Sequence, residues 1–321
     1  MDEFEQLRSE VSDRSIINEK QNLDEIRQQL KKRIILSYII SICLIAVGFF
    51  VAFKLGSGFA FTATLFLAIL FGIIFTRKLS QQYREAFKRS YVRRALEAVL
   101  TDVDYDYERG ISHDTIAATK MMVMGDRFHS EDYVSGNYHG IGFEQSDVHI
   151  EEKHTSRDAN GHSSTHYVTI FRGRWMIFDF NKQFRANLQI VQKGFPTAKR
   201  KRFFGKKETL FKKVEMEASD FNKQFQVFAQ NEHDAFYIIT PSFMERIQTL
   251  AAHNKGKLMF CLVGNRLHIA IHDRKDSFEP GSVFKHTSEQ ELMQKIRKEI
   301  ETITQFVEGL NLENDLFYGG E

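Results

Sequence analysis

Histidine is the residue type whose number and spacing in this chain could bind a metal ion. Six of the twelve histidines fall within one stretch: His129, His139, His149, His154, His162 and His166. A zinc site needs three or four ligands that converge at about 2 Å from the metal. His162 and His166 lie where a polar loop enters a predicted strand, on which residues four apart are about 13 Å from each other. His268 and His272 have the same spacing on another predicted strand, so we expect solvated histidines and no metal site.

The other reactive residues form no recognisable catalytic or phosphate-binding motif. The sequence contains no G-x-S-x-G, no P-loop, no H-E-x-x-H and no C-x-x-C. Its two cysteines, Cys43 and Cys261, have no nearby companion, which argues against a disulfide framework. Four carboxylates stand beside apolar runs without a spacing that brings two together: Asp179, Asp220, Asp234 and Glu279. We therefore predict no catalytic residue, no metal and no cofactor.

Two long uncharged runs near the N-terminus are the strongest structural signal in the sequence. Residues 34–53 contain no charge, and residues 59–76 form a second such run after a five-residue connection with two glycines. As helices the runs would be about 30 and about 27 Å long, close to the thickness of the hydrocarbon core of a bilayer. The mean hydropathy of the whole chain is −0.35, so the apolar character is local. We predict a transmembrane helical hairpin over residues 34–76; the charged residues 1–33 before it argue against a signal peptide.

Basic residues are concentrated on the outer flanks of this hairpin. Three precede the first run: Lys31, Lys32 and Arg33. Seven follow the second run: Arg77, Lys78, Arg84, Lys88, Arg89, Arg93 and Arg94. The connection between the runs carries only Lys54. Because positively charged residues stay on the cytoplasmic side of a membrane, we predict that both termini are cytosolic.

Small residues recur at every fourth position of the second run, at Ala60, Thr64, Ala68 and Gly72. This spacing puts them on one helix face, where a partner helix can approach closely. A matching strip on the first run consists of Ser41, Gly48 and Ala52. The pattern favours helix packing within the hairpin, and a homo-oligomer is the alternative.

The rest of the chain is predicted to contain a basic juxtamembrane helix (77–101) and a cytosolic α+β domain (102–321). Strands are expected in hairpins, one of them turning at Gly264-Asn265, which indicates a largely antiparallel sheet. Residues 225–228 and 236–239 are predicted strands, and the long strand 167–180 is predicted to be bulged at Gly173. Three residues are predicted to begin helices of this domain: Ser112, Thr240 and Ser288.

A second basic segment lies in a predicted loop and contains Lys199, Arg200, Lys201 and Arg202. Together with the basic residues of 77–94 it could contact anionic lipid headgroups, which attract each basic residue near the membrane surface by about 1 kcal/mol. We favour lipid over nucleic acid, because these charges follow the hairpin and Phe203 and Phe204 stand among them. A solvated loop and an ordinary cytosolic flank are the alternatives.

Several segments of the chain together resemble the bacterial family known as domain of unknown function 3137. They include 110–112, 131–136, 171–173, 178–182, 221–227, 239–241 and 278–280. The resemblance implies a protein of the bacterial cytoplasmic (inner) membrane with a cytosolic domain and no established activity. It also suggests a LemA-like membrane protein as a partner.

These observations predict a membrane-anchored module whose cytosolic domain binds a protein or a lipid as a scaffold or accessory factor. The alternative is an enzyme that acts at the membrane through an unrecognised active site.

Overall fold

The computed structural model of the protein describes residues 3–56, 58–157, 162–179, 187–196, 211–284, 288–310 and 312. They fall into two compact units. Unit 1 comprises Met1–Arg94 and Glu279–Gln294, and unit 2 comprises Ala95–Phe278 and Lys295–Glu321. Two long apolar helices are followed by a large antiparallel sheet with packed helices, which confirms the predicted α+β class.

Unit 1 contains two long helices joined by a tight turn. The helices are α1 (Glu3–Leu55) and α2 (Gly58–Phe87), and Gly56 at the turn has a φ of 60°, which favours glycine. A single π-helical turn (Lys88–Val92) and the short helix α3 (Arg93–Glu97) follow α2. Two segments, Gln21–Lys54 and Phe61–Glu97, are long and apolar enough to cross a membrane. This finding confirms the two adjacent apolar helices and indicates association with a membrane.

The described strands of unit 2 form one antiparallel sheet in the order β1-β2-β3-β4-β9-β8-β5-β7-β6. In chain order they are β1 (Thr101–Asp106), β2 (Arg127–Tyr138), β3 (Ile141–Arg157), β4 (Ser163–Asp179), β5 (Leu188–Gln192), β6 (Lys212–Val214), β7 (Phe225–Ala229), β8 (Lys257–Val263) and β9 (Arg266–His272). The β8–β9 hairpin turns at Gly264-Asn265, as predicted. Long-range pairing between β4 and β9 joins the two halves of the sheet.

Five more helices are α4 (His113–Ala118), α5 (Ser219–Gln224), α6 (Glu232–Ile238), α7 (Pro241–His253) and α8 (Glu289–Leu310). The three predicted helix starts are confirmed by their hydrogen bonds. Ser112 Oγ accepts from the Thr115 N–H, and Thr240 Oγ1 accepts from the Phe243 N–H. Ser288 and Glu291 exchange the reciprocal bonds of a capping box.

Two local predictions about unit 2 are wrong. Residues 236–239 are not a strand, because α6 covers 232–238 and its start is capped by Asn231, whose side chain accepts from the His233 N–H. A short apolar run does not distinguish a strand from a helical turn. Gly173 is not at a bulge either: the register shift between β3 and β4 falls between Ile150 and Glu151. Gly173 is instead required by its φ of 147°.

The sheet carries a hydrophobic core on each face. On one face α4 and the residues after it pack over the middle strands, where the buried residues include Ile116, Met121, Trp175 and Met259. The alternating residues of the same strands point to the other face. There Phe260 of β8 meets Phe306 of α8 with 6.4 Å between ring centroids.

Candidate functional site

The basic residues after the hairpin differ in how far they are available to a ligand. Arg77, Lys78, Arg84, Arg89 and Arg93 are exposed, and Arg94 is half-buried with its guanidinium over the Tyr91 ring. Lys88 is only 4% exposed, and its ammonium group lies 3.6 Å from Glu279 Oε1. The structure therefore leaves the exposed residues as candidates for contact with lipid headgroups. Lys199, Arg200, Lys201 and Arg202 lie outside the described residues.

The predicted small-residue strip contacts α1 over part of its length. Ser41 Oγ donates to the Ala68 carbonyl oxygen at 3.2 Å, and a Cβ added to Gly48 would overlap the Thr64 side chain. A Cβ added to Gly72 would meet no atom within 4 Å. The side chain of Ala60 lies outside the described residues. The helices thus touch closely at Thr64 and Ala68, while Gly72 faces open space.

This open space is a groove of about 560 Å³ along the hairpin, which we call the hairpin groove. It is lined by α1 between Ile34 and Ile45, by α2 between Ala68 and Thr76, and by Phe284. Phe284 belongs to a segment that is held to α1 by a hydrogen bond from Arg27 Nε to the Val283 carbonyl oxygen. The volume is within the range of about 300–1,000 Å³ that is usual for small-molecule sites.

A second candidate site lies inside unit 2, where two aspartates approach each other. We call Tyr105, Asp132, Asp147 and Ser277 the carboxyl cluster. Asp132 occupies the irregular stretch of β2 between Glu131 and Val134 with a φ of 57°, and it accepts from Tyr105 Oη at 3.0 Å. Asp147 on β3 accepts from Ser277 Oγ at 2.7 Å and from the Ser277 N–H. All four residues are buried.

The electrostatics of this cluster favour a protonated Asp147. Burial raises the pKa of Asp147 to about 8, and the neighbouring Asp132 carboxylate adds to the increase. The hydrogen bonds from Ser277 and the positive charge of Arg174 oppose the increase but do not cancel it. At neutral pH Asp147 is therefore mostly a neutral carboxylic acid beside a second buried carboxyl group.

Three of the segments that resemble the known family meet near this cluster. Segment 131–136 supplies Asp132, and 171–173 supplies Arg172, whose Nε and Nη2 donate to the two carboxylate oxygens of Asp276 at 3.1 and 2.5 Å. Segment 278–280 supplies Phe278, whose ring meets Tyr105 edge-on with 6.1 Å between centroids. Neither Asp132 nor Asp147 was singled out from the sequence. The sequence signal that could have pointed to Asp147 is the alternation of side chains along β3. It puts Asp147 on the same face of the sheet as the apolar Phe143.

The carboxyl cluster adjoins a further polar side chain in the core. Gln145 precedes Asp147 by two residues on β3, so both point to the same face of the sheet. Gln145 is fully buried, and neither its amide nitrogen nor its oxygen has a hydrogen-bond partner among the described residues. An unpaired buried polar group costs about 1–3 kcal/mol. This region of the core is therefore more polar than packing alone requires.

The histidines take structural or surface positions along the strands. His268 and His272 lie on β9, as predicted, and His166 lies on β4. The Trp175 indole N–H donates to Nδ1 of the buried His268 at 3.2 Å, while burial lowers the pKa of His268 to about 4, with a smaller contribution from Arg266. His268 is only 4% exposed, so the prediction of solvated histidines is wrong for it, and it is neutral at physiological pH. Within the described part of the chain, no three His, Cys, Asp or Glu side chains converge as metal ligands.

Three of the four carboxylates that the sequence placed beside apolar runs pair with basic side chains. Asp179 pairs with Arg266 at 3.4 Å, and Asp220 pairs with Lys223 at 2.9 Å. Glu279 belongs to unit 1, where it pairs with Arg84 and Lys88. Asp234 lies in the first turn of α6, where a negative charge favours the helix start.

Two helices that could cross a membrane and an antiparallel sheet with packed helices define a membrane-associated α+β protein. The family model described as "Protein of unknown function (DUF3137)" matches residues 169–312, and it is the family that the sequence resembles. The crystal structure of the mycobacterial trehalose monomycolate transport factor A, TtfA, is similar to this chain at a TM-score of 0.38 and 14% identity. That similarity covers 70% of this chain and 95% of the other. No curated protein matches the chain.

Proposed function

We propose that the protein is a membrane-anchored binding module of the bacterial inner membrane. The helical hairpin would insert with both termini in the cytosol, and the α+β domain would bind a protein or a lipid there. A LemA-like membrane protein and a second copy of the chain are candidate partners. The basic residues that flank the two uncharged runs on the side remote from the turn support this orientation, because such residues stay on the cytoplasmic side.

The observation that carries the proposal is the outward exposure of the apolar side chains of the hairpin. Only 11% of the most apolar window of each candidate span is buried. Near the turn, Phe53 is 77% exposed and Phe59 is 82% exposed. A continuous apolar surface of this kind is unstable in water, and the hydrocarbon core of a bilayer would cover it.

The orientation predicts which engineered cysteines react with a membrane-impermeant maleimide. Ser57→Cys should be labelled in right-side-out membrane vesicles, whereas Ser12→Cys and Gln290→Cys should be labelled only after permeabilisation. Cys43 is exposed and would be replaced by Ala as background, while Cys261 can stay because it is buried and burial raises the pKa of its thiol. Labelling of Gln290→Cys in sealed vesicles would contradict the orientation.

Contact between anionic headgroups and the helical segment that ends α2 and continues into α3 should depend on Arg89 and Arg93. An environment-sensitive fluorophore at Gln82→Cys, on the full chain in phosphatidylcholine vesicles, should shift to the blue when phosphatidylglycerol is added. The shift should vanish at 1 M salt, where the Debye length falls from about 10 Å at 0.1 M to about 3 Å. Replacing Arg89 and Arg93 by Gln should abolish the shift.

The matched control for this experiment removes two exposed cations from unit 2, with Lys255→Gln and Lys275→Gln. The change in net charge is the same, so the shift should be retained. A shift that persists without Arg89 and Arg93, or at 1 M salt, would show that these residues serve only to orient the hairpin.

An enzyme acting at the membrane is a second candidate, favoured by the raised pKa of Asp147 and the unpaired amide of Gln145. Both carboxyl oxygens of Asp147 accept bonds from Ser277, and the residue is 5% exposed. A substrate could therefore reach Asp147 only if its contact with Ser277 opened. Slow hydrogen exchange at the Ser277 and Phe278 amides, equal to that of β3, would argue against this enzyme.

A further inference from the structure

The hairpin groove covers only one half of the apolar part of the hairpin. Its wall on α1 runs from Ile34 to Ile45, which is about 16 Å along a helix, and its wall on α2 runs from Ala68 to Thr76, about 12 Å. Half of a hydrocarbon core of about 30 Å is about 15 Å. The groove therefore extends from the basic end of the hairpin to the middle of the bilayer, over the depth of a single leaflet.

The surface of the groove suits a hydrocarbon chain. Four hydroxyl-bearing residues line it, and three of them donate the hydroxyl proton to a helix carbonyl oxygen: Ser37 to Ile34, Ser41 to Ala68 and Thr76 to Gly72. The fourth is Tyr38, which is 65% exposed. Apolar side chains form most of the remaining wall. Since the protons of these three hydroxyl groups are used inside the hairpin, the groove offers a polar ligand little hydrogen-bonding capacity beyond the Tyr38 hydroxyl.

The open end of the groove is surrounded by positive charge. Five basic residues flank the groove walls in sequence and are all exposed: Lys31, Lys32 and Arg33 directly before the α1 wall, and Arg77 and Lys78 directly after the α2 wall. The Arg33 guanidinium is held 5.6 Å from the centre of the Phe75 ring. Basic pockets between transmembrane helices on the cytoplasmic side bind acidic lipid headgroups. The rim thus has the charge that a phosphate at the membrane surface would require.

We propose that the hairpin groove binds an anionic phospholipid of the cytoplasmic leaflet, with one acyl chain in the groove and the phosphate at the basic rim. A helix of a second copy fits less well, because it would continue past Ile45, where Gly48 is closed against Thr64. The inference rests on the proposed insertion of the hairpin into the membrane. It adds a specific lipid site to the general surface attraction.

The test uses the full chain in phosphatidylcholine vesicles with a small fraction of photoactivatable lipid, carrying a diazirine on its acyl chain. Phosphatidylglycerol and phosphatidylcholine probes are compared at equal fraction. We expect the phosphatidylglycerol probe to label the groove peptides at least about fivefold more than the phosphatidylcholine probe does. This ratio corresponds to an attraction of about 1 kcal/mol between the basic rim and the anionic headgroup. Gly72→Leu, which fills the groove, should reduce this labelling about fivefold or more.

The matched control is Gly58→Leu, which adds the same side chain at another open glycine, beside the turn, and should leave the labelling unchanged. A second variant replaces Lys31, Lys32, Arg77 and Lys78 by Gln. It should bring the ratio of phosphatidylglycerol to phosphatidylcholine labelling to about one without abolishing labelling of the groove. This variant keeps the groove intact, so the proposal stays testable if Gly72→Leu unfolds.

The outcomes separate this inference from the proposed function. Equal labelling of the groove by both probes in the wild-type chain, or labelling that Gly72→Leu does not reduce, would overturn the lipid site. Dimers that form through Gly72→Cys, with no groove labelling, would assign the groove to a second copy. Labelling at the exposed Ile39 and Ile74 but not in the groove would show that the hairpin is inserted. It would therefore overturn the lipid site and leave the proposed function standing. If neither helix were labelled by either probe, the hairpin would not be inserted and the proposed function would fail as well.

Discussion

Gly173→Ala should destabilise unit 2 by more than about 4 kcal/mol, an exceptional cost for a single substitution. The φ of 147° at Gly173 is a conformation that residues with a Cβ rarely adopt. In addition, a Cβ there would overlap the Ile271 carbonyl oxygen of β9. This oxygen belongs to the backbone of the strand paired with β4, so it cannot move without disturbing the β4–β9 ladder. Trp175, the only tryptophan of the chain and fully buried, would report unfolding of the full-length protein through its fluorescence.

The control for this prediction is Gly264→Ala in the β8–β9 turn. Gly264 also has a positive φ, 61°, but a Cβ there would meet no atom within 4 Å. The expected cost is the backbone strain alone, about 1–2 kcal/mol. Equal losses at the two glycines would mean that strain, and not the approach of β4 to β9, explains the effect at Gly173.

Asp147 should make a contribution to the stability of unit 2 that falls as the pH rises from about 4 to about 8 and that Asp147→Asn removes. Asp147 has a folded-state pKa of about 8 against an ordinary value of 3.8. Between these values the folded chain holds a proton that the unfolded chain releases, so the contribution is complete below about pH 4 and is lost through pH 8. The difference between wild type and Asp147→Asn should change by roughly 1.4 kcal/mol per pH unit in this window. Denaturation followed by Trp175 fluorescence at several pH values measures it.

Asn serves as the comparison because an amide resembles the neutral carboxylic acid in shape and can still bond to Ser277. Ser277→Ala gives a second test, in which the pH dependence due to Asp147 should grow, whereas Asp147→Asn removes it. The Ser277 hydroxyl favours the ionised form of Asp147, so its removal should extend the pH window upward. A stability difference between wild type and Asp147→Asn that does not vary with pH would contradict a protonated Asp147.

The elements whose structure depends on residues close to one another along the chain could be predicted from the sequence. The hairpin follows from two uncharged runs of membrane length, because every residue in such a run contributes to the same preference for the bilayer. The starts at Ser112, Thr240 and Ser288 follow from bonds that reach only three residues along the chain. The two-residue turn at Gly264-Asn265 is equally local. The strand order was not predictable, because the pairing of β4 with β9 joins residues about a hundred positions apart.

The candidate sites were decided by the tertiary structure. Asp132 and Asp147 are fifteen residues apart in sequence, and only the antiparallel pairing of β2 with β3 and the irregular stretch at Glu131–Val134 bring them together. The raised pKa of Asp147 follows from burial, which a strand pattern does not quantify. In the hairpin, a four-residue spacing marked Thr64, Ala68 and Gly72 as equivalent. The packing of α1 then closed the first two and left Gly72 open to the groove, because helix contacts depend on how two surfaces fit as well as on spacing along one of them.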